Sequence, residues 1–449
     1  MDLAQLTAAV DEGRIDTVIV AFPDLQGRPV GKRYSAGFFL SNVLEDGMEA
    51  CDYLLGVDVD MDPQPGYTFS NWDLGYGDVL CTPDLDTLTE LAWQPGTAMV
   101  LCDLTAHGEP VEVSPRQMLR RQIERAAERG LVVKCATELE FYLFKESFEQ
   151  AAANGWRDLT PHASTIEDYQ LLQTSRDEYV LGRIRREMVA SGLPLEGSKG
   201  EAGRGQHEVN LAYDTPLLTA DRHLVFKNGI KEIADQEGRA ATFMAKWTMA
   251  EAGSSSHIHA SLWTADDHPL MDDPTHESGL SEVGRQFLAG QLFAAEQLAW
   301  CFAPYVNSYR RYVPDSWAPT AIAWGQDNRT CGFRVVGHGA GRRIESRVPG
   351  ADVNPYIALA AVIAAGLYGI DHQLELEPSY KGNAYVATDV KRLPFTLAEA
   401  TDSLEESDVA AEAFGEDVRH HLANTARQEW ALANRVVTDW ELARNFERI

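Results

Sequence analysis

The sequence predicts an α+β protein in two parts, a sheet-rich segment over residues 1–108 and a larger mixed segment over residues 109–449. Three observations carry this. The opening segment alternates short β-forming apolar runs with Gly, Pro, Asn and Asp clusters. From Ser114 onward, strand-like runs alternate with patterns at helical spacing. Finally, 449 residues exceed one average domain, and no unit repeats at a period of about 20–50 residues.

In order, the first segment offers DTVIVAFPDLQGRPVGKRY, CDYLLGVDVDM and AMVLCDL as strands and turns, with a boundary near His107–Pro110. Ser114-Pro115 then opens a helix with Leu119, Ile123, Ala126 and Ala127 on one stripe, and Gly130 ends it. LVVKCATELEFYLF, HEVNLAY, SHIHASLW, CGFRVV and RRIESRV read as strands. Helices are expected from Thr219 to about Gln236, closed by Gly238, and from Ser281 to about Phe302. The Ala-rich run Ile357–Ile370 follows Asn354-Pro355 and reads as a buried helix, too short for a membrane span. Trp156–Ser175 reads as a loop.

Lys and Arg total 39 against 68 Asp and Glu, a formal charge of −29. That field repels nucleic acid and anionic membranes, so an anionic substrate must be met by locally clustered arginine. Six cysteines lack CxxC spacing, which argues against zinc or a disulfide framework. With no basic-then-apolar leader pattern at the N-terminus, a reducing, cytoplasmic location is expected.

Several strands carry polar residues where a buried strand should be apolar. Side chains two apart share a face. Glu138 and Glu140 therefore project together, as do His257, His259 and Ser261, and Arg343, Glu345 and Arg347. Glu201 and Glu208 bracket a Gly-rich turn. Carboxylates converging on a core are costly unless they hold a cation, and oxygen donors with one imidazole suit Mg²⁺ or Mn²⁺ rather than zinc. Nearby arginines suit a site where metals and guanidinium groups neutralise a transferring phosphoryl group. Each piece alone also fits a solvated edge strand, a core histidine or a salt-bridged ladder; their combination in one chain points to a metal-dependent, ATP-using site.

The ordered segments TELEFYLF, EGSKGEAGRGQHEVNLAY, FMAKW…GSSSHIHASLW, YRRYVPDSWAP, NRTCGFRVV and RRIESRVPGADVNPYIALAAVIAAGLYGI resemble the successive catalytic segments of the glutamine synthetase superfamily. The resemblance implies a β-grasp-like N-terminal domain and a catalytic domain with a curved antiparallel sheet. It implies two or three Mg²⁺ or Mn²⁺ per site, ATP as co-substrate, L-glutamate and a small amine as partners, and a ring-shaped homo-oligomer such as a dodecamer. By motif, Glu140, Glu201 and Glu208 would hold one metal, and Glu138, His257 and Glu345 the metal bridging the ATP phosphates. His259, Ser261, Arg334 and Arg343 would face the phosphates, with Glu196 and Tyr213 on the nucleotide. Arg311, Arg329 and Arg347 would handle the carboxylate and the transferred phosphate, and Gly253 would line the glutamate α-carboxylate region.

The departures concern the amine. Ammonia-using members carry a glutamate before the flap Ala-Pro; this chain has Trp317, whose indole accepts no proton but packs on alkyl chains or cations. The Asn-Gly of ammonia enzymes is replaced by Ala252-Gly253 before three serines, a form similar to γ-glutamylpolyamine and γ-glutamylmonoamine synthetases. Asp52 aligns loosely with the aspartate of the ammonia site. The expectation is a ligase joining the γ-carboxylate of glutamate to an organic amine. Use of ammonia, with proton removal left to Asp52, and a non-catalytic structural role are the alternatives, and Trp317 as a mere packing residue is the bland reading of that position.

Overall fold

A computed structural model describes residues 1–449. The first sheet holds β1 (Thr17–Pro23), β2 (Pro29–Ser35), β3 (Met48–Cys51), β4 (Asp78–Glu90), β5 (Thr97–Ala106) and β6 (Glu109–Pro110). Their spatial order is β2-β1-β5-β4-β3 with β6 on β5; β1 and β5 run parallel at the centre. The second sheet holds β7 (Val132–Phe144), β8 (Leu195–Gly200), β9 (Gln206–Leu211), β10 (Ala240–Thr242), β11 (Ser256–Trp263), β12 (Trp324–Gln326), β13 (Phe333–Val336) and β14 (Arg343–Ser346). Its order is β12-β13-β14-β11-β7-β9-β8 with β10 on β7, antiparallel except for β12 and β13.

The five strands expected in the larger segment form at β7, β9, β11, β13 and β14. The helix after Ser114 spans Pro115–Ala127, and the Ala-rich helix spans Pro355–Asp371, where Asn354 Oδ1 accepts from the backbone N–H of Tyr356 (3.0 Å). That helix is buried almost all round, which explains its near-continuous apolar run. It crosses the Glu282–Ala294 helix through Gly290 and Gly369: a Cβ at Gly290 would lie 2.0 Å from Ala365 O, and one at Gly369 2.1 Å from Gln286 O. Only glycine permits that approach. No helix is long and apolar enough to cross a membrane.

Three expectations change. The helix expected from Thr219 begins at Pro216, because Thr215 takes the cap position and proline suits the first helical residue. The helix expected from Ser281 to Phe302 stops at Ala294 and resumes over Ala299–Phe302; no Gly or Pro marks the break, which falls where Ala295 and Leu298 to Phe302 are all buried. CDYLLGVDVDM is strand only to Cys51; Asp52–Leu55 is a 3₁₀ turn, pinned by Asp52, whose backbone N–H donates to Gly77 O (2.9 Å). The long β4 escapes the sequence reading because Pro83 and three aspartates interrupt its pattern, and it bulges between Asp84 and Thr89.

The two sheets share one apolar core and a buried polar clasp. Arg116, 1% exposed, donates to both oxygens of Asp221 (3.1 and 3.0 Å) and to Asp84 Oδ2 (2.7 Å), and pairs with Asp103. Tyr356 OH donates to Asp221 Oδ1 (2.6 Å). The clasp thus joins β4 and β5 to three helices of the larger segment. Removing one partner of a buried charged network leaves the others uncompensated. Arg116→Met is expected to cost about 3–5 kcal/mol in urea unfolding. Arg120→Met, whose guanidinium makes half-exposed pairs with the same Asp84 and Asp103, should cost about 1 kcal/mol or less. Equal losses for the two variants would contradict the clasp.

Candidate active site

Strand register builds the site. Directly opposed residues on antiparallel strands lie close, with Cβ atoms about 4.5–5.5 Å apart. On β7 and β11, Glu138 faces His257; on β11 and β14, His259 faces Glu345; on β13 and β14, Arg334 faces Glu345. On the other side of β7, Glu140 faces Glu208 of β9, and Glu208 faces Lys199 of β8. A row of acids, imidazoles and guanidinium groups therefore runs across the second sheet. Its members are scattered over more than 200 residues of chain (138 to 345) but lie within neighbouring strands.

Two adjoining cavities open on this row and share Glu138. The first, about 320 Å³, is lined by Glu138, Glu140, Glu201, Glu208, His257 and Glu345, by Arg311, Arg329, Arg334 and Arg347, and by Gly253 and Trp317. The second, about 410 Å³, is lined by Glu138, Glu196, Tyr213, His259, Ser261 and Arg343. Every sequence-predicted site residue but one lines one of the two. The exception is Asp52, which the single chain keeps in the N-terminal part: its carboxylate accepts from Ser70 Oγ (2.5 Å) and Gly77 N–H (3.0 Å).

In the first cavity the donor atoms of Glu140, Glu201 and Glu208 all lie within 4.8 Å of one another. Glu140 accepts from the backbone N–H (2.8 Å) and hydroxyl (2.6 Å) of Ser255. Burial, then repulsion by the neighbouring carboxylates, pushes the protonation of Glu140 and Glu208 well above the usual carboxylate range. The Lys199 ammonium pairs with Glu201 and lies 3.8 Å from Glu208, so one tethered cation already answers this charge. A hard divalent ion fits the remaining oxygen donors.

The second trio behaves differently. Burial opposes the charge of Glu138, but hydrogen bonds from His257 (3.1 Å) and His259 (2.8 Å) outweigh it and hold the carboxyl far below its usual range. Glu345 is likewise held low: His257, Arg347, His259 and Arg334 around it outweigh its burial. Burial, then the nearby Arg347, pushes the His257 imidazole down to about 4, so its ring is neutral at physiological pH with a lone pair to offer. The donor atoms of Glu138, His259 and Glu345 also lie within 4.8 Å of one another, which brings forward an imidazole the sequence assigned to phosphate. Arg343 Nε–H, however, donates to His259 Nδ1 (3.0 Å). The ring proton then sits on Nε2, directed at Glu138, and leaves no lone pair for a metal there. His257, the imidazole the resemblance implied, has its Nδ1 3.1 Å from Glu138 and 3.8 Å from Glu345.

The arginines are fixed by backbone. Arg311 is buried and donates to Val348 O and Arg347 O (2.8 Å each). Gly253 packs against it: a Cβ there would meet Arg311 Cγ and Ala245 O at 2.7 Å. Trp317 is 60% exposed and adopts φ +64°, a left-handed conformation rare for a bulky residue. Its carbonyl accepts from Arg347 Nη2 (3.3 Å), so the guanidinium that reaches Glu345 (2.5 Å) also holds the Trp317 turn over the cavity. Lys199, Tyr169 and Asp168 line the first cavity and were not singled out in the sequence. Lys199 alternates with Glu201 on one strand face, a signal that was there to find; Tyr169 and Asp168 sit in an irregular loop that carries none.

The family model for the glutamine synthetase catalytic domain matches residues 112–445. Gamma-glutamylethanolamide synthetase GlnA4 of Streptomyces coelicolor is 50% identical over 100% of this chain and 96% of its own length. Glutamate–isopropylamine ligase of a Pseudomonas species is 39% identical over 98% of this chain and 97% of its own. A solved GmaS complex with ADP superposes with a TM-score of 0.87 at 29% identity, covering 98% of this chain and 99% of the other.

The raised carboxyls make the metal-free protein sensitive to pH. Because Glu140 and Glu208 bind protons more tightly folded than unfolded, their contribution to stability falls as pH climbs past the ordinary carboxylate range. Mg²⁺ or Mn²⁺ at about a hundredfold over its Kd is expected to restore about 2.7 kcal/mol. In thermal melts, the gain in Tm on adding metal should grow from acidic to alkaline pH; a gain independent of pH would contradict the assignment.

Proposed function

We propose that this chain, which belongs to the glutamine synthetase family, is an ATP-dependent ligase that couples the γ-carboxylate of L-glutamate to a small organic amine. The observation that carries the reaction class is the cross-strand row shared by the two cavities. It supplies two trios that could each hold a cation, flanked by four arginines in the first cavity and two in the second. It also separates a nucleotide-sized space from a smaller polar one. For the amine, the support is Trp317 on the first cavity together with the two amine-ligating relatives.

In the first step a glutamate γ-carboxylate oxygen attacks the γ-phosphorus of ATP, forming γ-glutamyl phosphate and releasing ADP. In the second, the amine nitrogen attacks the acyl carbon, inorganic phosphate leaves, and one proton is lost from nitrogen. Divalent ions in the two trios would neutralise phosphate charge during the transfer. The chain's own part is positioning and electrostatics. Arg311 and Gly253 shape the wall that would receive the amino-acid end of glutamate. Arg329, Arg334 and Arg347 face the space where phosphoryl charge develops. Ser261, Arg343, Glu196 and Tyr213 line the cavity assigned to the nucleotide. Trp317 offers an apolar surface to an alkyl or hydroxyalkyl tail and no proton acceptor. As elsewhere in the family, the reading includes a ring-shaped homo-oligomer in the cytoplasm, in which Asp52 of the N-terminal sheet would serve a neighbouring cavity.

With glutamate, ATP and Mg²⁺, ADP release should be faster with ethanolamine or isopropylamine than with ammonium at equal low concentration; ammonium as the best acceptor would overturn the organic-amine reading. Trp317→Glu should shift the ratio of kcat/KM toward ammonium by about tenfold, equivalent to about 1.4 kcal/mol. An unchanged ratio would make Trp317 a packing residue only. Glu345→Ala should lower kcat by about 10²–10³, the scale of losing one preorganised electrostatic group.

A further inference from the structure

Behind the active site a third cavity, about 660 Å³, opens between the β1–β2 turn and the Pro216–Gln236 helix. No function above uses it. In a chain of charge −29, its walls gather Arg28, Lys227 and Lys231. Lys227 and Lys231 stand one turn apart on the same helix, where like charges repel. The ring of Phe243 lies between them, 5.5 Å from one ammonium and 5.7 Å from the other.

These cations are poorly answered. Lys227 Nζ donates to Ala351 O (2.7 Å), which leaves two of its three protons without a partner. Lys231 belongs to no ion pair, and the charged group nearest to mattering for it is another cation, Arg28. Arg28 itself is spent on Asp24 (2.7 Å) and on Val59 O (2.7 Å). Burial, then Lys231, pushes the Lys227 ammonium down to about 7; burial, then Arg28, pushes Lys231 down. Two acids line the cavity; Asp352, together with Asp24, partly answers Lys227, and no carboxylate is paired with Lys231. Asp352 has one oxygen on Ser308 Oγ (2.6 Å), and burial raises the protonation of both Asp352 and Glu429. Two neighbouring lysine amino groups, with five protons free when both are charged, over an aromatic floor in a roomy cavity, suit a multiply charged oxyanion.

We infer that this cavity binds a small doubly charged oxyanion, an inorganic phosphate or a short dicarboxylate, between Lys227 and Lys231. The site is separate from the catalytic row and stands whether or not the amine assignment does.

Lysine acylation resolved by peptide mass spectrometry tests it on the whole protein without ATP or metal. A limiting acetylating reagent is added alone, with inorganic phosphate, or with succinate, and acetylation is read at each lysine. Lys134 and Lys199, which line the two catalytic cavities, serve as internal references for anion binding there. The expected result is about tenfold protection of Lys227 and Lys231 by at least one anion, matching about 1.4 kcal/mol of binding at the concentration used. Protection by phosphate alone or by succinate alone identifies the ligand. Protection confined to Lys134 and Lys199, or none at any lysine, overturns the proposal. Lys231→Met, checked for an unchanged melting curve, should abolish the protection of Lys227; protection retained there would also overturn it. If that variant melts early, Lys231→Arg, which keeps the charge, should retain the protection, and its loss would count against the site.

Discussion

The structure turns on the pairing of Glu140 with Glu208 across β7 and β9, two carboxylates opposed in a buried register. Like charges facing each other on adjacent strands are destabilising, and burial adds to the cost. Nothing in the local sequence relieves it. Relief comes from cations: Lys199 from the next strand over, and a hard metal ion that the three glutamates are placed to hold. The second trio solves the same problem with protein charge, since Arg334, Arg347 and two imidazoles surround Glu138 and Glu345. One sheet thus carries two acidic sites of opposite temperament side by side. The first is electrostatically unsatisfied without a cation; the second is held ionised by its neighbours.

The rest of the fold keeps that register in place. A slip of one residue between β7 and either neighbour would turn Glu138 and Glu140 to the other face and bury them against apolar side chains. Three features oppose such a slip. The helix after Asn354 packs its whole circumference in the core. The glycine crossing at Gly290 and Gly369 brings two helix backbones into contact. The Arg116 clasp ties the first sheet to the helices behind the second. Over the cavity, Arg347 links Glu345 to the Trp317 carbonyl, so the residue proposed to shape the amine side is mechanically joined to the second acidic trio. The side chain at Trp317 can therefore be changed without breaking that link, because only its carbonyl, common to every residue, enters it.

The catalytic strands were legible because their chemistry violates their pattern. Acids, histidines or arginines two apart in otherwise apolar runs reveal both the strand and the face, as in the segments holding β7, β11 and β14; those holding β9 and β13 read as strands without such a pair. Helices with strong caps were legible to within a few residues, as at Asn354-Pro355. Apart from Lys199, what was missed lacks a local signal. β4 contains Pro83 and a bulge, which erase the alternation of a strand. The break after Ala294 has neither Gly nor Pro. Tyr169 and Asp168 reach the first cavity from a loop whose course depends on long-range bridges such as Ile166 with Arg204.

By itself, the sequence determined which acids, imidazoles and guanidinium groups its strands carry and the faces they occupy, because these follow from residue identity and the two-residue period of a strand. That Trp317 stands where ammonia-using members carry a flap carboxylate follows from the resemblance alone. The sequence could not determine which strand lies beside which. Only the tertiary structure decided that Glu138 would belong to both cavities. The same holds for the imidazole proton of His259, turned toward Glu138 by Arg343, and for Lys199, set against the first trio. Only the fold, too, gathered Lys227 and Lys231 with Arg28 around one cavity. Pairing between strands distant in sequence is set by the burial of whole faces, a property of the assembled core rather than of any segment.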